Sequence, residues 1–205
     1  MFFLRQPSPE AIRQFISSQR ELPFSYREVG ATAGELPAGY VVDRNRIKLG
    51  TGKETYERAI AALRKWKQFD LGWVKILPDE TPLEVGATVV IQAKAFGFWS
   101  LSASRIVYLI NENAPLKRFG FAYGTLPDHV ECGEERFTIE WEAGADSVWY
   151  EILAFSRPKN PLVRLGFPLA RMLQKRFARE SLGVMATLAH ADSLRPQERS
   201  KQTRG

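Results

Sequence analysis

Alternating aromatic and very small residues in the middle of the chain constrain its fold more than any other feature. Residues 119–124 read Phe-Gly-Phe-Ala-Tyr-Gly. Side chains of a strand alternate between its two faces, so one face of this strand carries three aromatic rings. The opposite face is nearly bare, because it consists of Gly120, Ala122 and Gly124. Glycine inside a strand often marks close approach by a ligand or another backbone. This face therefore predicts either the wall of a hollow or close packing of a helix on the sheet.

The segment after this strand concentrates groups capable of acid–base chemistry. His129, Glu131, Cys132, Glu134 and Glu135 are close in sequence, and we expect them to lie in one turn beside the bare face. A histidine with a glutamate can transfer protons. One His and one Cys at this spacing match no metal-binding pattern, so we expect no metal. The simpler alternative is a polar hairpin loop whose carboxylates cap backbone N–H groups or pair with arginines.

Composition excludes several classes of protein. The 205 residues are 44% hydrophobic and 25% charged, which suits one large globular domain. The net charge is +6, but the basic residues are spread out and match no nucleic-acid motif, so we expect no nucleic-acid partner. The single cysteine favours a reducing compartment. The sequence shows neither the apolar core of a signal peptide nor the ~20 apolar residues of a membrane helix. We therefore expect a cytoplasmic protein.

Hydrophobic periodicity predicts an order of elements that ends with a long helix. The predicted elements are a helix capped by Ser8, a strand over residues 40–49, a helix over 55–69, six strands between 71 and 157, and a final helix. This final helix is predicted to be capped by Asn160, to have Pro161 at its first position and to bend near Gly166. One curved, seven-stranded antiparallel sheet around the final helix satisfies this order. We predict an α+β helix-grip fold over residues 1–190, with an N-terminal helical extension, and a disordered basic tail over residues 191–205.

Motifs along most of the chain are similar to those of one protein family. They are Leu22-Pro23-Phe24-Ser25-Tyr26, Asp43-Arg44-Asn45-Arg46, Leu49-Gly50-Thr51-Gly52, Phe69-Asp70-Leu71-Gly72-Trp73, Arg105-Ile106-Val107-Tyr108, the run from Phe119 to His129, Gly133-Glu134-Glu135-Arg136-Phe137 and Ala154-Phe155-Ser156-Arg157-Pro158. On these residues the chain resembles the DUF1990 family, also grouped as uncharacterised UPF0548 proteins. The resemblance implies a relation to the helix-grip, START-like superfamily. It implies no settled activity.

The leading functional hypothesis is a binding protein for a hydrophobic or amphipathic, lipid-like small molecule. Its ligand would occupy a cavity between the sheet and the C-terminal helix. Arg105 lies either at the mouth of this cavity, where it could hold an anionic head group, or on the outer face of the sheet, since alternation does not decide between them. The residues predicted to bind the ligand are Arg105, Gly120, Ala122, Tyr123, Gly124, Thr125 and Arg157.

Two alternatives come from different classes of protein. An enzyme could use acid–base groups in the same cavity, with His129, Glu134 and Glu135 as candidates, assisted by Tyr123. The sequence has no catalytic triad, Walker loop, dinucleotide fingerprint or zinc pattern, so binding is favoured over catalysis and we expect no cofactor. The third hypothesis is a peripheral membrane or protein-interaction module that lies on anionic lipid through the basic face of helix 160–190 and the basic tail.

Overall fold

The strands between residues 74 and 158 form a meander in which each strand is antiparallel to the next. The computed structural model describes residues 1–114, 116–159 and 167–190. Its strands are β1 (Phe2–Phe3), β2 (Val41–Gly50), β3 (Val74–Leu77), β4 (Thr88–Ala95), β5 (Phe98–Glu112), β6 (Lys117–Thr125), β7 (Glu131–Glu142) and β8 (Ser147–Pro158). Its helices are α1 (Pro9–Gln19), α2 (Gly52–Arg64) and α3 (Phe167–His190), with 3-10 turns at Ala31–Ala33 and Lys67–Phe69.

These strands form one curved sheet in the order β2-β8-β7-β6-β5-β4-β3. β2 departs from the meander, because it precedes α2 along the chain and pairs with the last strand, β8. β1 pairs with β5 at residues 99 and 100, and the hydrophobic pattern does not predict this short strand. The curved antiparallel sheet with the long C-terminal helix confirms the predicted α+β helix-grip fold.

The inner face of the sheet is the one that packs against α2, α3 and the turn at residues 67–69. Phe121 and Phe137 are fully buried on this face. Phe121 packs against Trp66 with ring centroids 4.8 Å apart, and Phe137 packs against Phe69 at 5.8 Å. The aromatic side of the alternating strand therefore belongs to the hydrophobic core.

The outer face of the sheet is covered by α1 and by the connection between α1 and β2. α1 packs Phe15 and Ile16 against Leu101 on β5. The connection packs Tyr26 against Phe155, with ring centroids 5.7 Å apart. The sheet is thus covered on both faces over part of its area, which leaves room for a ligand only where the inner layer is open.

The ends of the helices agree with the sequence where the structure describes them. Ser8 Oγ accepts a hydrogen bond from the backbone N–H of Ala11 at 3.2 Å, and Pro9 occupies the first position of α1. The predicted cap at Asn160 with its neighbour Pro161, the bend near Gly166 and the tail over residues 191–205 lie outside the described residues. Among the described helices, none has both the length and the apolarity needed to cross a bilayer.

The bare face of β6 lies on the outer side of the sheet, so its interpretation as the wall of a hollow is wrong. A Cβ atom on Gly124 would lie 2.1 Å from Tyr26 Oη, and one on Gly120 would lie 2.1 Å from the carbonyl oxygen of Phe137. Ala122 shares this face by alternation and is fully buried. The small residues allow close packing, as the alternative predicted, but the packed element over Gly124 is an irregular segment rather than a helix.

β7 starts earlier than its hydrophobic alternation predicts. It begins at Glu131, so the acidic residues expected in a turn belong to the strand. Glu131 and Glu135 share the inner face with Phe137, whereas Glu134 lies on the outer face. Both faces of this part of the strand bear carboxylates, and an apolar/polar pattern therefore does not mark its start.

Candidate functional site

A cavity of about 590 Å³ lies between the inner face of the sheet and α3. This volume falls within the range of about 300–1,000 Å³ that is usual for small-molecule sites. Most of its lining residues are apolar. Those from β4, α3 and the segment before β3 include Phe69, Trp73, Ile91, Ala93, Leu173 and Phe177. This space lies between the sheet and the C-terminal helix, where the ligand cavity is predicted, and its occupation by a ligand stays a prediction.

Exposed apolar side chains surround one end of this cavity. Phe2, Phe96, Phe98 and Leu169 line it, and each is between 45% and 66% exposed to solvent. Residues that both line a cavity and face solvent mark its opening, so these four define the rim. The rim brings together β1, the hairpin between β4 and β5, and the first turn of α3.

A tyrosine–glutamate pair lies on the inner wall. Tyr123 Oη donates a hydrogen bond of 2.6 Å to Glu135 Oε2. Burial in the apolar wall raises the pKa of Glu135 to about 7, although the hydrogen bond from Tyr123 acts in the opposite direction. Burial and the nearby Glu135 also raise the pKa of Tyr123 well above its usual value. Near neutral pH this pair therefore exchanges a proton at the carboxyl group and not at the phenol.

A second carboxyl group, that of Glu131, lies on the same wall two inward-facing positions away. Gln174 on α3 donates its side-chain N–H to Glu131 Oε2. Burial raises the pKa of Glu131 to about 7, and the positive charge of Arg171 partly opposes this rise. Arg171 itself forms a two-pronged ion pair with Asp43, with one N–O distance of 2.7 Å. It also donates to Gln174 Oε1 at 2.7 Å, so the four side chains form one connected network.

The ring of His129 lines the cavity beside these carboxyl groups. Its Nδ1 lies 3.1 Å from both the backbone nitrogen and the carbonyl oxygen of Glu131, and the tautomer decides which of the two it bonds. Burial lowers the pKa of His129 to about 4. The ring is therefore neutral near pH 7.

Glu134 is held away from the cavity by its own hydrogen bonds, although its backbone forms part of the wall. Its carboxylate accepts from Tyr26 Oη at 2.7 Å, from the Gly30 N–H at 2.6 Å and from the Thr32 N–H at 2.9 Å. The Thr32 hydroxyl donates to it as well. This is the capping role that the simpler alternative assigned to the acidic residues, and it leaves Glu134 unavailable as a catalytic group.

The two arginines of the predicted site lie on the outer face. Arg105 donates to the carbonyl oxygen of Gln19 at 3.0 Å, and its guanidinium lies 5.5 Å from the centre of the Phe24 ring. The guanidinium of Arg157 lies 4.4 Å from the centre of the Tyr40 ring. Of the predicted ligand-binding residues, Tyr123 and Thr125 line the cavity. The other five do not: Arg105, Gly120, Ala122, Gly124 and Arg157.

Gln174 and Asp43 are site residues that sequence reasoning missed. Gln174 lies on α3 four residues before the buried Ala178, so it belongs to the buried face of that helix. A polar residue on the buried face of an amphipathic helix was the signal that could have identified it. Asp43 had no such signal, because its partner Arg171 is 128 residues away in sequence. Within the described part of the chain, no three His, Cys, Asp or Glu side chains converge as metal ligands would.

Comparison with solved structures gives partial similarities. Ara h 8.0201 shares 9% identity at a TM-score of 0.47, with 75% of this chain and 99% of that chain covered. Human STARD10 shares 13% identity at a TM-score of 0.39, with 94% of this chain and 87% of that chain covered.

Comparison of sequences gives a clearer result. A UPF0548 protein from Dictyostelium discoideum is 43% identical over 204 residues, which cover 90% of this chain and 94% of the relative. A UPF0548 protein from Deinococcus radiodurans is 40% identical over 201 residues, which cover 92% of this chain and 99% of that relative. The model of the family described as Domain of unknown function (DUF1990) matches residues 25–184. With most of its length matched in this way, the chain belongs to the DUF1990 family.

Proposed function

We propose that the protein binds a hydrophobic or amphipathic small molecule in the cavity between the sheet and α3. The observation that carries this proposal is the combination of a 590 Å³ apolar space with an opening lined by exposed phenylalanines. Transfer of an apolar ligand from water to such a space contributes about 25 cal/mol per Å² of apolar surface buried. The few polar groups on the wall orient the ligand, as is usual in sites of this kind.

The test is direct recovery and displacement of ligand. Native mass spectrometry of protein purified from its own host should show a bound molecule, and the apolar dye Nile red should bind and be displaced by a panel of lipids. Ala93→Phe places a ring in the cavity and should reduce dye binding at least about tenfold, or about 1.4 kcal/mol. Ala143→Phe is the matched control, because Ala143 is exposed in the β7–β8 turn and should leave binding unchanged.

The proposal would be rejected if repeated preparations carried no ligand and neither Nile red nor any lipid bound. Equal loss of dye binding in the Ala93 and Ala143 variants would also contradict it, since only one of these positions lines the cavity. Thermal melting of both variants separates a blocked cavity from a damaged fold.

The rim supports loading of this ligand from an anionic membrane surface. Exposed Met172 on α3 lines one surface depression with Lys175 and Arg179, and exposed Leu169 lies three residues before Met172. The Arg179 side chain is 77% exposed. Apolar residues that insert at the head-group level and cations that meet anionic lipid act together in interfacial binding. Co-sedimentation with vesicles should therefore rise with anionic lipid content and fall at high salt. No co-sedimentation at low salt would exclude this route.

Acid–base catalysis in the same cavity is a second candidate function, and the Tyr123–Glu135 pair is the observation that favours it. A carboxyl group with a pKa near 7 suits proton transfer at neutral pH. The molecule recovered from the host should then change its mass on incubation with fresh protein, and Glu135→Gln should abolish the change. An unchanged mass after prolonged incubation at pH 6–8 would exclude catalysis on that molecule.

A further inference from the structure

The cavity wall holds one polar atom that no described residue satisfies. Glu131 is only 6% exposed, and its Oε2 accepts from Gln174, yet its Oε1 has no hydrogen-bond partner among the described residues. A buried carboxylate oxygen without a donor costs free energy, and such atoms are uncommon in native structures. Glu131 is one of the residues that line the cavity, so a ligand donor that reaches its carboxyl group would satisfy this oxygen.

The charges around Glu131 define what kind of donor fits. Arg171 is the cation near Glu131, but its guanidinium is already paired with Asp43. Within the described ranges, neither Glu131 nor Glu135 forms an ion pair. The cavity wall therefore carries an excess of negative groups. A cationic donor complements this wall, whereas an anionic head group would meet repulsion.

We infer that the cavity selects amphipathic ligands whose head group is a protonated amine, bound by Glu131 Oε1 and attracted by the carboxyl group of Glu135. This inference rests on the proposed binding function and names the ligand class for it. The apolar lining near the rim would hold the tail of such a molecule, and the carboxyl end would hold its amine. A neutral hydroxyl group could donate to the same oxygen, but without the ion pair.

The arrangement also makes binding depend on pH. The groups that face the two carboxyls are Arg171 and Gln174 from α3, Asp43 from β2, Tyr123 from β6, Tyr150 from β8, and His129 before β7. Burial raises the pKa of Glu131 and Glu135 to about 7, so both lose their protons between pH 6 and 8. An alkylamine stays protonated there, since its pKa is near that of lysine, about 10.4. Amine affinity should therefore rise with pH across this interval.

The experiment compares three probes that differ only in head group: decylamine, decan-1-ol and decanoate. Each displaces Nile red from the full chain at pH 6, 7 and 8. We expect decylamine to bind at least about tenfold more tightly than decan-1-ol at pH 8, with a smaller ratio at pH 6, and decanoate to bind weakest. Glu131→Gln should reduce the preference for decylamine over decan-1-ol at least about fivefold, because it removes the ion pair that only the amine forms. Glu140→Gln is the matched control, because Glu140 pairs with Arg46 on the outer face.

The outcomes separate this inference from the function on which it rests. Failure of Nile red and of all three probes to bind rejects the binding function itself. Equal affinity for the three probes, or preference for decanoate, keeps the binding function and overturns the amine selectivity. An amine preference that survives in both Glu131→Gln and Glu135→Gln overturns the assignment of the carboxyls. The pH series on the unaltered protein needs no variant, and an amine affinity that does not change with pH contradicts the inference even if a variant fails to fold.

Discussion

At the scale of single residues, the contact between Gly124 and Tyr26 on the outer face explains why β6 has a glycine at this position. Gly124 lies directly beneath Tyr26, whose hydroxyl donates to the buried carboxylate of Glu134. An alanine at position 124 would have to displace the tyrosine ring, and the hydrogen bond to Glu134 would be lost with it. The glycine is therefore required by the tyrosine above it, not by a ligand.

Gly124→Ala should accordingly destabilise the fold. Overpacking of a closed site costs about 1–3 kcal/mol, and for a chain of this size each kcal/mol lowers the melting temperature by roughly 2–4 °C. Gly144→Ala is the control, because no atom lies within 4 Å of a Cβ atom built there. In the double variant Gly124→Ala with Tyr26→Phe, the loss of stability should be smaller than the sum of the losses in the two single variants. Additive losses would mean that the two residues act independently, and the explanation would be wrong.

At the scale of elements, the connection from α1 to β2 is held to the sheet by one carboxylate. Glu134 accepts from the backbone N–H groups of Gly30 and Thr32 as well as from two side-chain hydroxyls. Arg136 on the same strand donates to the carbonyl oxygen of Thr32. This part of the connection has no regular secondary structure beyond the 3-10 turn at Ala31–Ala33. These hydrogen bonds therefore hold it to the sheet in place of the backbone hydrogen bonds that would join two strands.

Glu134→Gln should loosen this connection without unfolding the sheet. The amide group would keep one acceptor oxygen and would bring two N–H donors against donors already present. We expect faster hydrogen exchange of the Gly30 and Thr32 amides, with amides of β7 and β8 beyond residue 137 unchanged. Glu140→Gln on the same face should leave both sets unchanged. Uniform loss of protection over the whole sheet would contradict a local role.

Sequence patterns predicted the elements better than the side of the sheet on which each residue lies. Alternation in β6 correctly separated an aromatic face from a bare one, because Phe121 and Gly120 are adjacent on one strand. It did not show which face is inner, since that depends on where α3 and residues 22–36 pack. The site was therefore only partly predictable. Tyr123, His129 and Glu135 do line the cavity, whereas Arg105 binds the end of α1, a contact between residues 86 positions apart.

At the scale of the whole molecule, the cavity carboxyls make stability depend on pH. Burial raises the pKa of Glu131 and Glu135 from 4.5 to about 7. Between pH 4.5 and about pH 7 the folded protein binds more protons than the unfolded chain, so the free energy of unfolding falls as pH rises. His129 acts in the opposite direction, because burial lowers its pKa from 6.5 to about 4. Its contribution to stability therefore rises with pH over that interval.

A variant with both Glu131→Gln and Glu135→Gln should isolate the carboxyl contribution, since His129 is unchanged in it. We expect the melting temperature of the variant to exceed that of the unaltered protein by a margin that grows from pH 5 to pH 8. One pKa unit corresponds to about 1.4 kcal/mol, so the free energies of unfolding of the variant and the unaltered protein should differ by a few kcal/mol at pH 8. A margin independent of pH would show that the two carboxyls titrate alike in the folded and unfolded chains.

The position of Glu134 has a consequence for how members of the family are compared. Tyr26, Gly124 and Glu134, which lie in the shared motifs, fasten the outer layer, whereas Trp73, Tyr123 and Glu135, which also lie in those motifs, line the cavity. Shared motifs therefore report the scaffold and part of the cavity wall, while Ile91, Ala93, Leu173 and Gln174 line the cavity outside them. A comparison of relatives by motifs alone leaves these four positions unread, so the side chains found there should be compared as well.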